Sequence, residues 1–163
     1  MHRPFTSVFV IALGLFSPLA APSVVADEPS DAEIAAREKA FVEQLSNVTL
    51  TGVYTVDGKT DTLPKPESYV IESVNKAVGQ LWTFNVRIKY GKTDARLPVT
   101  VPIVWAGNTP MVSLENASIP GLGTEFSAKV IFDGNRYAGT WAHGKFGGHM
   151  YGMIKKNPEE KKE

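Results

Sequence analysis

The chain has 163 residues, with 17 Lys+Arg against 17 Asp+Glu, 43% hydrophobic residues and no cysteine. This even charge argues against nucleic acid or an anionic membrane surface as partner, because both call for concentrated basic charge. Without cysteine there is no disulfide framework, so the core alone must hold the fold; a chain of this size buries roughly two-thirds of its unfolded surface.

The first expected element is an export signal, residues 1–26. A short basic start (His2, Arg3) precedes an apolar run from Val8 to Ala21, and Val24-Val25-Ala26 supplies small residues before a cleavage point after Ala26. The uninterrupted apolar stretch is shorter than the ~20 residues of a spanning helix, and Pro18 and Pro22 break its far end. The expected location is therefore secreted or periplasmic, with no membrane span after cleavage. Taking 26 residues from 163 leaves 137, one domain's worth, with 16 basic against 17 acidic side chains and a mature net charge of −1.

Residues 27–47 carry one helix, in "SDAEIAAREKAFVEQLSN". Ser30 or Asp31 can cap it, Glu33 and Glu38 favour its first turns, and Ile34, Glu38, Phe41, Val42 and Leu45 share one stripe. That stripe predicts a helix packed on the body of the domain.

From Val48 the pattern changes. Thirteen of the fourteen glycines lie between Gly52 and Gly152, punctuating short β-rich runs. Strands are expected at 48–56, 68–75, 80–90, 96–105, 110–115, 125–132, 136–143 and 148–155, with hairpin turns at Asp57-Gly58 and Asp133-Gly134. Eight strands joined mostly by short links make an antiparallel meander that closes into a barrel over 48–155. In 81–90 the even positions Trp82, Phe84, Val86, Ile88 and Tyr90 are apolar and the odd ones polar, so one face is buried and the other wet. In 97–105 the odd positions are apolar, while Pro98 and Pro102 share the opposite parity. Both missing N–H donors then fall on one side, which predicts a strand poorly paired along one edge and a barrel interrupted there. Residues 106–124 form the longest link of low regularity, a plain connector or a loop across the barrel mouth. The end, 156–163, is a charged tail expected to be solvated.

The densest chemical signal is "AGTWAHGKFGGHMYGMI", 138–154. If Gly144–Gly148 forms a five-residue hairpin loop, His143 opposes His149 and Trp141 opposes Tyr151, which puts all four on one face. Three readings follow: hydrogen-bonded rim residues beside a turn, contacts for a small apolar or aromatic ligand, or two ligands of a metal. A metal needs a third protein ligand, and Glu72, Glu115 or Glu125 would have to supply it, though no spacing selects one. An enzyme reading, a hydrolase or lyase using the His143/His149 face, rests on the same geometry. No H-E-x-x-H, G-x-S-x-G or phosphate-loop pattern supports other chemistry, and no cofactor is implied. The sequons at Asn47 and Asn116 matter only in a glycosylating host.

The "L-T-G-V-Y" at 50–54 and the "G-T-W" at 139–141 resemble strand motifs of calycin-type barrels, the lipocalin and avidin group. That resemblance implies an eight-stranded barrel with a cavity at one end for a small apolar or heterocyclic ligand. Tyr54 stands where the first-strand tryptophan of lipocalins would be, so no binding residue is carried over. The run G-T-W-x-H-G-x-x-G-G-H, 139–149, is also similar to exported bacterial proteins of unassigned function. The expectation is a non-enzymatic barrel that binds a small ligand or acts as an envelope interaction module.

Overall fold

A computed structural model describes residues 28–59, 61–90 and 93–158; the expected signal segment lies outside them. One helix, α1 (Asp31–Leu45), precedes eight strands. These are β1 (Val48–Tyr54), β2 (Lys65–Val78), β3 (Leu81–Tyr90), β4 (Thr93–Ala106), β5 (Thr109–Ile119), β6 (Gly123–Asp133), β7 (Arg136–His143) and β8 (Phe146–Lys156). Each strand pairs antiparallel with the next, and β8 pairs with β1, so the sheet closes into an eight-stranded barrel.

Turn chemistry sets this meander. The β2–β3, β4–β5, β6–β7 and β7–β8 hairpins each place a glycine at the first central position: Gly79, Gly107, Gly134 and Gly144, with φ between 55° and 60°. A two-residue turn with a left-handed first residue has the twist that right-twisted strands require. At Asp133-Gly134 the expected hairpin forms with Gly134-Asn135 at its centre. At Asp57-Gly58 a turn also forms, closed by Lys59 N–H donating to Val56 O, but inside a longer β1–β2 link of residues 55–64 and not as a two-residue hairpin.

Inside the barrel, Trp82, Phe84, Val101, Ile103, Val112, Val130, Phe132 and Ile154 are buried. The alternation expected over 81–90 is observed as far as residue 87, with Trp82, Phe84 and Val86 inward; the side chains of 88–90 lie outside the described residues. Helix α1 closes the end of the barrel where β2 finishes and β3 begins. Ser30 caps it and forms a reciprocal capping box with Glu33, satisfying two otherwise orphaned N–H groups. Phe41 is 1% exposed and meets Trp82, Phe84 and Trp105 edge-on at 5.0, 6.1 and 5.6 Å. Burying that ring contributes about 1.5–3 kcal/mol. Leu45 is fully buried, and Ser46 Oγ accepts from Val74 N–H, which ties the helix end to β2. The stripe therefore packs on the domain, as its pattern predicts.

The proline strand behaves as expected on one count and differs on another. Ile103 N–H donates to Gln80 O, so odd residues of β4 aim their donors at β3 and even ones at β5. Pro98 and Pro102 thus lack donors on the β5 side. The β4–β5 ladder covers only Ile103–Ala106 against Thr109–Val112. The barrel nonetheless closes through those four pairs, so the expected interruption is the unladdered remainder of the β4–β5 edge.

The irregular link expected over 106–124 is mostly strand. β5 runs to Ile119 and absorbs irregularity as register shifts against β6 around Ala117, where Asn116 and Glu125 adopt left-handed φ values of 43° and 64°. Only residues 120–122 connect β5 to β6, too few to cross the mouth. The charged tail also begins later than expected. Lys156 lies in β8 and its ammonium donates to Glu43 O and Ser46 O, while Asn157 N–H donates to Asn47 O.

Candidate functional site

The two histidines do not share a face. β7 and β8 are joined by Gly144-Lys145 alone, and His143 opposes Phe146, Trp141 opposes Gly148 and Thr140 opposes His149. This register differs by three positions from that of a five-residue loop, and an odd slip exchanges the faces of one strand. On β7 the inward parity carries Tyr137, Gly139, Trp141 and His143. On β8 it carries Gly148, Met150, Gly152 and Ile154. His149 and Tyr151 therefore point outward, and the four-residue site of Trp141, His143, His149 and Tyr151 is split in two. A single left-handed glycine is enough for the turn, so Gly147 and Gly148 extend β8 instead.

The shared-metal geometry falls with that face. His143 stacks on Phe126 at 4.1 Å, at the rim of the end opposite the helix. Glu72 pairs with Arg96 and Glu115 with Lys129 on the outside of the barrel. Among the described residues, no group of three His, Cys, Asp or Glu side chains is placed to hold a metal.

What the β8 glycines do is give room to aromatic side chains from β7. One inward row runs Phe132, Tyr137, Gly152, Gly52, Glu67 through directly paired positions on β6, β7, β8, β1 and β2. With no side chain at Gly152 or Gly52, Tyr137 crosses two strands and donates its hydroxyl to Glu67 Oε1 at 2.8 Å. A Cβ at Gly52 would sit 2.4 Å from the Tyr137 hydroxyl, and one at Gly152 would sit 2.8 Å from Tyr137 Cε1. The device recurs one step towards the rim. Trp141 lies across Gly148 and donates its indole N–H to Thr55 O at 3.1 Å, and Tyr54 meets its ring edge-on at 5.8 Å.

Tyr69, two residues beyond Glu67 on the same face of β2, donates its hydroxyl to Glu67 Oε2 at 3.0 Å. The interior thus holds a carboxylate gripped by two phenols. Burial pushes the Glu67 carboxyl above the ordinary carboxylate range, opposed by the hydrogen bonds from Tyr137 and Tyr69. Burial first, then the neighbouring carboxylate, drives both phenols well above the usual tyrosine range, so both remain donors at neutral pH. Glu38, Glu72 and Glu115 each pair with a Lys or Arg, whereas Glu67 meets no cation among the described residues.

Most fully buried inward residues lie near the helix, and the partly exposed ones, Trp105 beside Phe41 apart, lie mainly towards the other end. Leu97, Ala117, Ile119, Phe126 and Met150, all towards the end opposite α1, pack on the core yet stay partly exposed. That end therefore presents apolar side chains to solvent from inside the barrel. Glu67, at the start of β2, is half-buried. A separate concavity, bordered by Thr51, Ser68, Val70 and Arg87, lies against the outer faces of β1–β3 and meets the wall at Gly52 and Glu67.

Sequence reading singles out Trp141 and His143, leaves Glu67 just outside the strand expected at 68–75, whereas β2 begins at Lys65, and passes over Tyr69 and Tyr137. Their signal was parity: Glu67 shares its face of the strand with Tyr69 and Ile71, an acidic residue in line with the core. The chain matches no protein-family model and no curated protein.

Proposed function

We propose that this is an exported, non-enzymatic barrel of calycin-like type that binds a small, largely apolar ligand at the end opposite α1. The observation that carries this reading is the burial gradient. Leu97, Ile119, Phe126 and Met150 face inward but remain partly exposed, while the helix end is closed by Phe41 and Leu45. Small-molecule sites combine apolar walls with a few placed polar groups, and the inward Glu67, Tyr69 and Tyr137 supply such groups. Trp141 and His143 stand at the rim of this site; His149 and Tyr151 lie outside it. The test uses N-phenyl-1-naphthylamine, an uncharged probe that brightens in apolar surroundings. Residues 27–163 should give a saturable enhancement, weakened at least tenfold by Ile119→Asp in a protein whose circular dichroism is unchanged. Absence of saturation, or equal binding by that variant, overturns the reading.

One observation favours an envelope interaction module as a second reading. Met111, Ile131, Ala138, Tyr151 and Val53 form a directly paired apolar row on the outer face across five strands. Ile131 and Tyr151 are 45% and 48% exposed. A solution mass above the monomer that returns to the monomer in Tyr151→Lys would favour it.

A further inference from the structure

Glu67 is an inward-facing carboxylate whose partners among the described residues, Tyr69 and Tyr137, are neutral. Two phenol hydrogen bonds, at 2.8 and 3.0 Å, occupy one acceptor site on each oxygen and leave each oxygen a further lone pair. A half-buried carboxylate loses part of its hydration, a cost that a cation or enough donors offset, and every other carboxylate named above with a side-chain partner on another strand or helix has a basic one. The surroundings are aromatic. Tyr69 and Tyr137 touch the carboxylate, and Tyr54 and Trp141, edge-on to each other, follow on the same inward face towards the rim. Aromatic rings beside a carboxylate form the environment that binds organic ammonium groups, through ring quadrupoles and a charge-assisted hydrogen bond.

We infer that the Glu67–Tyr69–Tyr137 cluster is an ammonium subsite, and that the ligand of this barrel is a small organic amine with an apolar body. The inference rests on the ligand-binding reading and deepens it. The ammonium donates to the free lone pairs of Glu67, while Leu97, Ile119 and Phe126 hold the apolar part nearer the opening. The two phenols orient the carboxylate. Tyr137 does so from β7 only because Gly52 and Gly152 leave its path clear.

The experiment is calorimetric titration of residues 27–163 at pH 8 with matched pairs: phenethylamine against 2-phenylethanol, and hexylamine against 1-hexanol. The amine of a pair is expected to bind at least tenfold more tightly than its alcohol. In Glu67→Gln that ratio should fall towards one, through loss of amine affinity. Tyr137→Phe, which keeps the ring and removes one orienting donor, should give an intermediate ratio and shows the effect without altering the charge. Equal binding of amine and alcohol by the wild type overturns the ammonium subsite and leaves the apolar pocket standing. Binding of neither overturns both. An amine preference that survives Glu67→Gln places the cation on surface carboxylates and likewise overturns the inference.

Discussion

Gly52 and Gly152 illustrate how a residue without a side chain can decide the interior of a barrel. Each sits in a strand, where glycine ordinarily weakens packing. Here a Cβ at Gly52 would lie 2.1 Å from Tyr151 O, and one at Gly152 2.3 Å from Thr51 O, as well as against the Tyr137 ring. Gly52→Ala and Gly152→Ala are each expected to lose about 1–3 kcal/mol, as overpacked sites do, measured as a lower urea midpoint at an unchanged slope. Glu67 carries the second expectation at this scale. Its folded-state carboxyl titrates above the unfolded one, because burial disfavours the charge more than the two phenols favour it. The folded state therefore holds this proton more tightly, and stability falls as pH rises from the ordinary carboxylate value through the raised one. Glu67→Gln has no such charge to bury. The difference in Tm between the two proteins should move in favour of the glutamine variant across that window and level off above it. A difference that is constant between pH 4 and pH 8 contradicts the assignment.

Among the elements, β4 is the one whose pairing is written in its own sequence. Pro98 and Pro102 share a parity, and that parity faces β5. The consequence is a seam laddered over only four residue pairs, while the β3–β4 ladder on the other side runs for ten. Local opening follows missing backbone bonds. In hydrogen exchange, the amides of Thr100 and Ser113, which face the unladdered part of the seam, should exchange faster than those of Val104 and Met111, which lie within it. Equal protection of the four would mean that the seam is closed in solution. α1 and β7–β8 show opposite degrees of legibility. The helix declared its cap, its length and its buried stripe through Ser30, Glu33, Phe41 and Leu45, all local signals. The β7–β8 hairpin contains three glycines within five residues, and composition alone does not say which of them turns the chain. Gly144 turns it, and Gly147 and Gly148 do not.

For the molecule as a whole, the alternation of apolar and polar residues, the spacing of glycines and the capped helix were enough to specify an eight-stranded antiparallel barrel with one N-terminal helix. These are signals with a period of two or 3.6 residues, and they survive being read one strand at a time. The candidate site was not readable in that way. Trp141 and His143 were visible as residues, but their separation from His149 and Tyr151 depends on a hairpin register in which one odd slip reverses a face. The meeting of Glu67 with Tyr137, 70 positions apart, depends on closure of β8 onto β1, which sets Gly152 beside Gly52. The sequence by itself determined the elements, their order and the weak edge at the prolines, because each is a property of neighbouring residues. Only the closed barrel decided which side chains share its interior, because that depends on the register of all eight ladders together.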